Sequence, residues 1–255
     1  PDGHLYVSNQ IGDSILKYDG TTGAFMSTFV SAGSGGLNAP VALIFRPDGY
    51  LYVGSYNSDS ILRYDATTGA FVGTFVAAGS GGLNGPAAMA WGPDGNLYVA
   101  SNDATVKRYN GTTGAFIDNF VTAGSGGLGE AIGLSFGPDG NLYVSSYSTD
   151  TIIKYNGTTG ALIGNYVTAG SGGLDGPTSF TFLPNQQVSV VSTNASPTLD
   201  ASKSPALTTQ NEDASAPVGA VGTLVSSLVD FASPAGQVDN ITDSDSGALL
   251  GIAIT

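Results

Sequence analysis

Few side chains in this 255-residue sequence could carry acid–base, nucleophilic or metal chemistry, so their positions decide what chemistry is open to it. There is one histidine, His4, and no cysteine. No Ser-His-Asp set can be assembled, and there is no cysteine nucleophile. His4 follows a Pro-Asp-Gly triplet, in the slot that holds Tyr50, Asn96 and Asn141 after the equivalent triplets. A slot so tolerant reads as a turn residue. Glu130 is the one glutamate before the tail. It sits in Gly129-Glu130-Ala131, where other copies read Asn38-Ala39-Pro40, Asn84-Gly85-Pro86 and Asp175-Gly176-Pro177. In an array, the residue that departs from the pattern is the informative one. With the polar and aromatic residues Gln10, Tyr56, Asn57, Asn102, Asp103, Tyr147 and Asp175, Glu130 forms the candidate ligand face. In the tail, Asp239, Asp243 and Asp245 crowd one short stretch, and Glu212 and Asp213 are further candidate ligands for a hard cation such as Ca²⁺, which takes six to eight oxygens. Gly247 stands where an EF-hand would need a third ligand, so the loop is not of that kind. The pairs Asp13 with Lys17, Asp59 with Arg63 and Asp150 with Lys154 read as structural ion pairs.

What must position these residues is a repeat. The unit Pro47 to Pro86 returns at Pro1, Pro93 and Pro138, a period of about 46 residues that falls in the range of propeller blades. Leu-Tyr-Val recurs from Leu5, Leu51, Leu97 and Leu142, Thr-Thr-Gly from Thr21, Thr67, Thr112 and Thr158, and Ala-Gly-Ser-Gly-Gly-Leu from Ala32, Ala78, Ala123 and Ala169. Each unit holds four short β-type runs; in the second copy these are Val41–Phe45, Leu51–Val53, Ile61–Tyr64 and Phe71–Val76. Pro-Asp-Gly closes the first pair and the Thr-Thr-Gly segment closes the last. Consecutive apolar residues such as Leu51-Tyr52-Val53 require both sheet faces to be covered, as when sheets stack radially. Small residues at Ala42, Ala88, Gly133 and Ser179 suit innermost strands crowded around an axis. The expected fold is all-β: a β-propeller of four-stranded antiparallel blades over residues 1–192, with a partial fifth repeat at 178–192. A stacked solenoid of sheets is the alternative. Residues 1–46 should supply three outer strands of one blade and the inner strand of the next. The fifth inner strand could complete that first blade in a four-bladed ring, or, as the second strand after it favours, the blades belong to a larger ring. Both ends look cut. Near residue 193 the composition turns rich in Ser, Thr, Ala and Asp, and residues 193–255 read as an incomplete β-sandwich-like module.

The net charge of −13 argues against a nucleic-acid partner, because phosphate binding needs clustered Lys and Arg. No run of 18 apolar residues offers a membrane span. The four Ala-Gly-Ser-Gly-Gly segments lack the Lys-Ser/Thr and the helix that a phosphate loop needs, and they read as crossings between blades.

The Pro-Asp-Gly-x-Leu-Tyr-Val run, the following Ile-Leu/Ile-Lys/Arg-Tyr strand and the Thr-Thr-Gly hairpin resemble NHL and streptogramin-lyase-like β-propellers. From Asn194 to Asp200, at Asn211-Glu212-Asp213 and from Val238 to Gly247, the tail resembles bacterial cadherin-like modules. Together these resemblances imply a secreted or cell-surface multidomain bacterial protein that binds a protein or carbohydrate ligand without catalysis. Ca²⁺ in the C-terminal module and neighbouring domains as partners are also implied. Lyases of this kind use a histidine and acids around a metal on one face, and no histidine here belongs to a loop of that face. A metal-assisted lyase or lactone hydrolase using Glu130 with Asp103 or Asp175 is the enzymatic alternative, and a structural spacer in a long adhesin is the third reading.

Overall fold

A computed structural model of the chain describes residues 2–182 and the backbone of Thr198–Leu199 and Ile241–Thr242. The repeat folds as four consecutive antiparallel sheets. The first blade has three strands, β1 (Leu5–Asn9), β2 (Ser14–Tyr18) and β3 (Phe25–Val30), as the sequence implies for a copy entered at its first turn. The second comprises β4 (Pro40–Phe45), β5 (Tyr50–Ser55), β6 (Ser60–Asp65) and β7 (Phe71–Val76). The third comprises β8 (Pro86–Trp91), β9 (Leu97–Ser101), β10 (Thr105–Tyr109) and β11 (Phe116–Val121). The fourth comprises β12 (Ala131–Phe136), β13 (Leu142–Ser146), β14 (Thr151–Tyr155) and β15 (Leu162–Val167). Strands run one or two residues longer than the apolar runs indicate, because the ladder takes in flanking polar residues such as Ser55 and Ser60. Helix among the described residues is confined to three-residue 3-10 turns.

Turn chemistry explains the hairpins. In the Pro-Asp-Gly turn, Asp48 Oδ1 accepts the Tyr50 N–H at 3.1 Å, while Gly49 takes φ 88°. At the outer hairpin Asp65 Oδ1 accepts from Thr67 N, Thr68 N and Thr68 Oγ1. Asn110 and Asn156 do the same work with an amide oxygen, so Asp and Asn interchange there freely.

The core lies between blades. Three hydrophobic clusters are found, and each is shared by two consecutive sheets. In the joint between the second and third blades, the Tyr52 ring meets Phe75 of its own outer strand at 4.9 Å and Trp91 of the next inner strand at 5.0 Å, both edge to face. Leu83 of the crossing segment plugs the gap at 2% exposure. Tyr109 donates its hydroxyl to the Ser80 carbonyl at 2.8 Å. A Cβ on Gly81 would overlap the Phe116 ring, and one on Gly114 would overlap the Phe75 carbonyl. The Ala-Gly-Ser-Gly-Gly-Leu and Thr-Thr-Gly motifs thus recur because each touches a neighbouring blade. The inner strands β4, β8 and β12 lie side by side, and the Gly133 Cβ position is closed off by the Thr178 carbonyl, which accounts for the small residues there.

One expectation needs correction. Asp13, Asp59 and Asp150 do not pair with Lys17, Arg63 and Lys154. Their carboxylates accept backbone N–H groups of Ala39, Gly85 and Gly176; Lys17 and Lys154 instead reach Asp2 and Asp139 of the Pro-Asp-Gly turns at 2.7 and 2.8 Å, and Arg63 lies over the Tyr50 ring. The base points toward the turn end of its strand and the acid toward the other. Residues 178–182, aligned with an inner strand, form no ladder among the described residues, and the run expected to pair with them, Val188 to Ser192, lies outside those residues. They still dock as an inner strand does, with Phe182 4.7 Å from the Tyr143 ring and the Thr178 carbonyl accepting from Ser145 Oγ.

The chain divides into two units, Pro1–Pro184 and Asn185–Thr255. Of the second, β16 (Thr198–Leu199) pairs antiparallel with β17 (Ile241–Thr242).

Because the joint carries the core, truncating it should be costly. Phe120 is 6% exposed and packs 4.8 Å from Tyr98, so Phe120→Ala should lose about 3–5 kcal/mol in urea unfolding. Phe25→Ala, at a ring that is 59% exposed, should cost under about 1 kcal/mol.

Candidate functional site

Antiparallel strands place each blade's second-to-third-strand loop beside the crossing segment that enters that blade. Tyr56 N donates to Ala39 O, Asn57 N to Asn38 O, Asn102 N to Asn84 O and Tyr147 N to Glu130 O. Serine hydroxyls at the strand ends fasten the same loops: Ser55, Ser101 and Ser146 Oγ accept from the backbone N–H of Asn38, Asn84 and Gly129. The predicted face residues therefore gather, blade by blade, at one end of the strands. A Cβ on Gly85 would meet the Tyr56 ring and Asn102 of the next blade, and one on Gly176 would meet the Tyr147 ring. Where a tyrosine occupies the loop the crossing segment carries glycine; where Gln10 or Asn102 does, it carries Ala39 or Glu130. Between the first and second blades a cleft of about 340 Å³ is lined by Gln10, Asp13, Asn38, Tyr56 and Asn57, with Asn57 donating to Asn38 Oδ1 at 3.1 Å.

His4 lies at the other end, in the Asp2 turn, where a cleft of about 710 Å³ also includes Tyr6, Lys17 and Arg46. His4 Nδ1 is buried without a hydrogen-bond partner. His4 immediately precedes β1, which ends at Asn9, next to Gln10, so the histidine and the candidate face occupy opposite ends. Among the described residues no three His, Asp or Glu side chains group as metal ligands; Glu130, Asp103 and Asp175 are not brought together.

The Glu130 departure has a physical account. In the other copies Asp13, Asp59 and Asp150 adopt left-handed φ of 48–54° and clamp the N–H of residue Ala39, Gly85 or Gly176, which is itself left-handed. The third copy has Ala104 in the aspartate's place, at φ 61°. With no carboxylate to meet, residue 130 is not left-handed and a glutamate fits without strain. Its N–H turns to Ser148 Oγ at 3.3 Å, and its side chain is left exposed.

Asp103, one residue earlier, is engaged elsewhere. Its Oδ2 accepts from Lys107 Nζ at 2.8 Å and its Oδ1 from Thr105 Oγ1 at 2.6 Å. Partial burial pulls the carboxyl upward, but the Lys107 and Thr105 hydrogen bonds outweigh it and the net shift is downward. Lys107 is 1% exposed in the position of Leu16, Leu62 and Ile153. Sequence reasoning missed it; the signal was a charge in the apolar second place of the Ile-Leu/Ile-Lys/Arg-Tyr strand. The serine and aspartate clamps were missed as well. Asp239, Asp243, Asp245, Glu212 and Asp213 lie outside the described residues.

No protein-family model matches the chain, and no curated protein matches it. Among solved structures it is similar to Kuenenia stuttgartiensis hydrazine synthase, with a TM-score of 0.52 at 20% identity over 66% of this chain. The match covers 46% of that chain, less than half its length. At this identity the likeness concerns the propeller-like all-β fold alone.

Two measurements probe the geometry. Asp59→Ala strands the Gly85 N–H and should cost about 1–2 kcal/mol, whereas Asp59→Asn keeps an acceptor oxygen and should stay within about 0.5 kcal/mol. Acid should also weaken the blades. The hydrogen bonds from Lys17 and Lys154 hold the Asp2 and Asp139 carboxyls well below the usual carboxylate range. A folded-state value below the unfolded one adds stability above about pH 4 that is lost as pH falls through the folded value. The melting temperature should thus hold between neutrality and about pH 5 and drop below about pH 4, with a shallower drop in Lys154→Met.

Proposed function

We propose that the chain is a non-enzymatic binding module, related to the NHL and streptogramin-lyase-like propellers, from a secreted or cell-surface multidomain protein. The observation behind this reading is a division of labour. The residues that repeat are taken up by joints between blades, while those that vary from copy to copy, Gln10, Tyr56, Asn102, Glu130 and Tyr147, collect at one strand end with polar or aromatic surface exposed. Tyr147 is 45% exposed. Tyrosine faces flanked by amides suit a carbohydrate or a protein surface, since the ring offers rigid apolar area and the amides both donate and accept. The net charge of −13 disfavours nucleic acid, and among the described residues no helix is long and apolar enough to cross a membrane.

The test is calorimetric titration of the full chain with neutral oligosaccharides and with candidate surface proteins. The paired variants Tyr56→Ala and Tyr147→Ala should each weaken a genuine ligand by about tenfold, the effect of about 1.4 kcal/mol, at unchanged melting temperature. Equal binding by both variants and the parent would remove the face from consideration.

The C-terminal module is proposed to be cadherin-like and to bind Ca²⁺ through Asp239, Asp243 and Asp245, with Glu212 and Asp213 as further ligands. What supports this is the density of carboxylates in a tail whose one base is Lys203. Binding to the native state alone raises stability by about 2.7 kcal/mol at about 100 times the Kd. Melting in millimolar Ca²⁺ should therefore exceed melting in chelator, and the double change Asp243→Asn and Asp245→Asn should abolish the difference.

A further inference from the structure

We propose that Lys107 and Asn119 become joined by an intramolecular isopeptide bond, with Asp103 as the proton-transfer base. The two residues are direct cross-strand partners on β10 and β11. Lys107 Nζ stands 3.3 Å from Asn119 Oδ1 and 2.8 Å from Asp103 Oδ2. The lysine is 1% exposed, and its amine is roofed by Gly82 of the preceding crossing segment, whose Cβ position is 3.7 Å away. No other copy assembles this set. The equivalent cross-strand pairs are Leu16 with Thr28, Leu62 with Thr74 and Ile153 with Asn165, and Asp103 is replaced by Gly12, Ser58 and Thr149. The fourth copy, with an asparagine but no lysine, is an internal control.

A lysine amine withdrawn from water is a nucleophile once it loses a proton, and a carboxylate in contact is placed to take it. Asp103 is kept ionised, as that role requires. Nζ passes a proton to Asp103 Oδ2 and its lone pair attacks Asn119 Cγ, forming the Nζ–Cγ bond while the carbonyl pair moves onto Oδ1. As the carbonyl re-forms, the Cγ–Nδ2 bond breaks. Nδ2 leaves as ammonia, taking up protons from Nζ and from Asp103, and departs as ammonium; Asp103 is regenerated as carboxylate. An ammonium and a carboxamide become a secondary amide and an ammonium ion, with no redox change. Holding Nζ beside the carboxamide in the folded blade supplies the proximity such a step needs. The solvent-exposed side of Asn119 is the exit for ammonia, and the product removes a buried ammonium from the joint.

The bond would tie the third blade's outer strand to its neighbour, independently of any ligand on the loop face. Intact-mass measurement of the folded full chain after incubation at neutral pH should read about 17 Da below the sequence mass, the loss of one ammonia. Trypsin should release a branched species joining residues 64–108 to 109–154. Lys107→Met, Asn119→Ala and Asp103→Ala should each restore the mass expected from their sequence. Folded parent protein at full sequence mass, giving separate peptides 64–107 and 109–154, would overturn the proposal whether or not any variant folds. A mass loss persisting in Asp103→Ala would overturn the role given to Asp103.

Discussion

The joint between consecutive blades is the interaction on which everything else in this unit depends. A single four-stranded sheet of these residues has apolar side chains on both faces, and no sheet of the array has a core of its own. Tyr6, Tyr52, Tyr98 and Tyr143 each stand edge to face against an aromatic of their own outer strand and against one of the next inner strand, at 4.7–5.0 Å. Edge-to-face contact adds to the area buried. Such an array is close to one-dimensional, with stability assembled from nearest-neighbour terms. Leu51 and Val53 of the second blade, packed in the cluster shared with the first, are fully buried.

That constraint also explains why the repeat reads so clearly in the sequence. Alternation of strands and turns, the Pro-Asp-Gly and Thr-Thr-Gly chemistry, and the small inner-strand residues are local signals. They suffice to place the strands of the second blade to within a residue or two. What was not legible is the content of contacts between residues far apart in sequence. Asp59 and Arg63 are four apart and opposite in charge, so they look paired; the carboxylate instead serves Gly85, 26 residues on. No local pattern distinguishes a carboxylate that meets a lysine from one that meets a distant backbone N–H.

The candidate face was legible in part for the same reason. Strand direction alone puts Tyr56, Asn102, Tyr147 and Glu130 at one end and His4 at the other. The side-chain geometry within that end was not available, because it depends on which loop residues are left-handed. Glu130 stands out in the sequence, but Ala104 stands out only when read against Asp13, Asp59 and Asp150, and the two are one event. Lose the clamp, and the left-handed requirement 26 residues later goes with it.

The third blade therefore carries two linked sets of departures rather than a scatter of single ones. The first removes a backbone clamp and leaves a glutamate exposed. The second, one residue from the first, exchanges an apolar side chain in the joint for a lysine with a carboxylate and a carboxamide in reach. A lone ammonium in that position would carry a desolvation cost of several kcal/mol, and the flanking blades fill it with leucine or isoleucine. Drift toward a charge at a buried place is opposed by that cost unless the partners arrive too. Asp103 and Asn119 are those partners, and all three sit on adjoining strands and the turn that links them to β9. A position that the fold would otherwise hold apolar has become the one place in four copies where a nucleophile, a base and an electrophilic carbonyl meet.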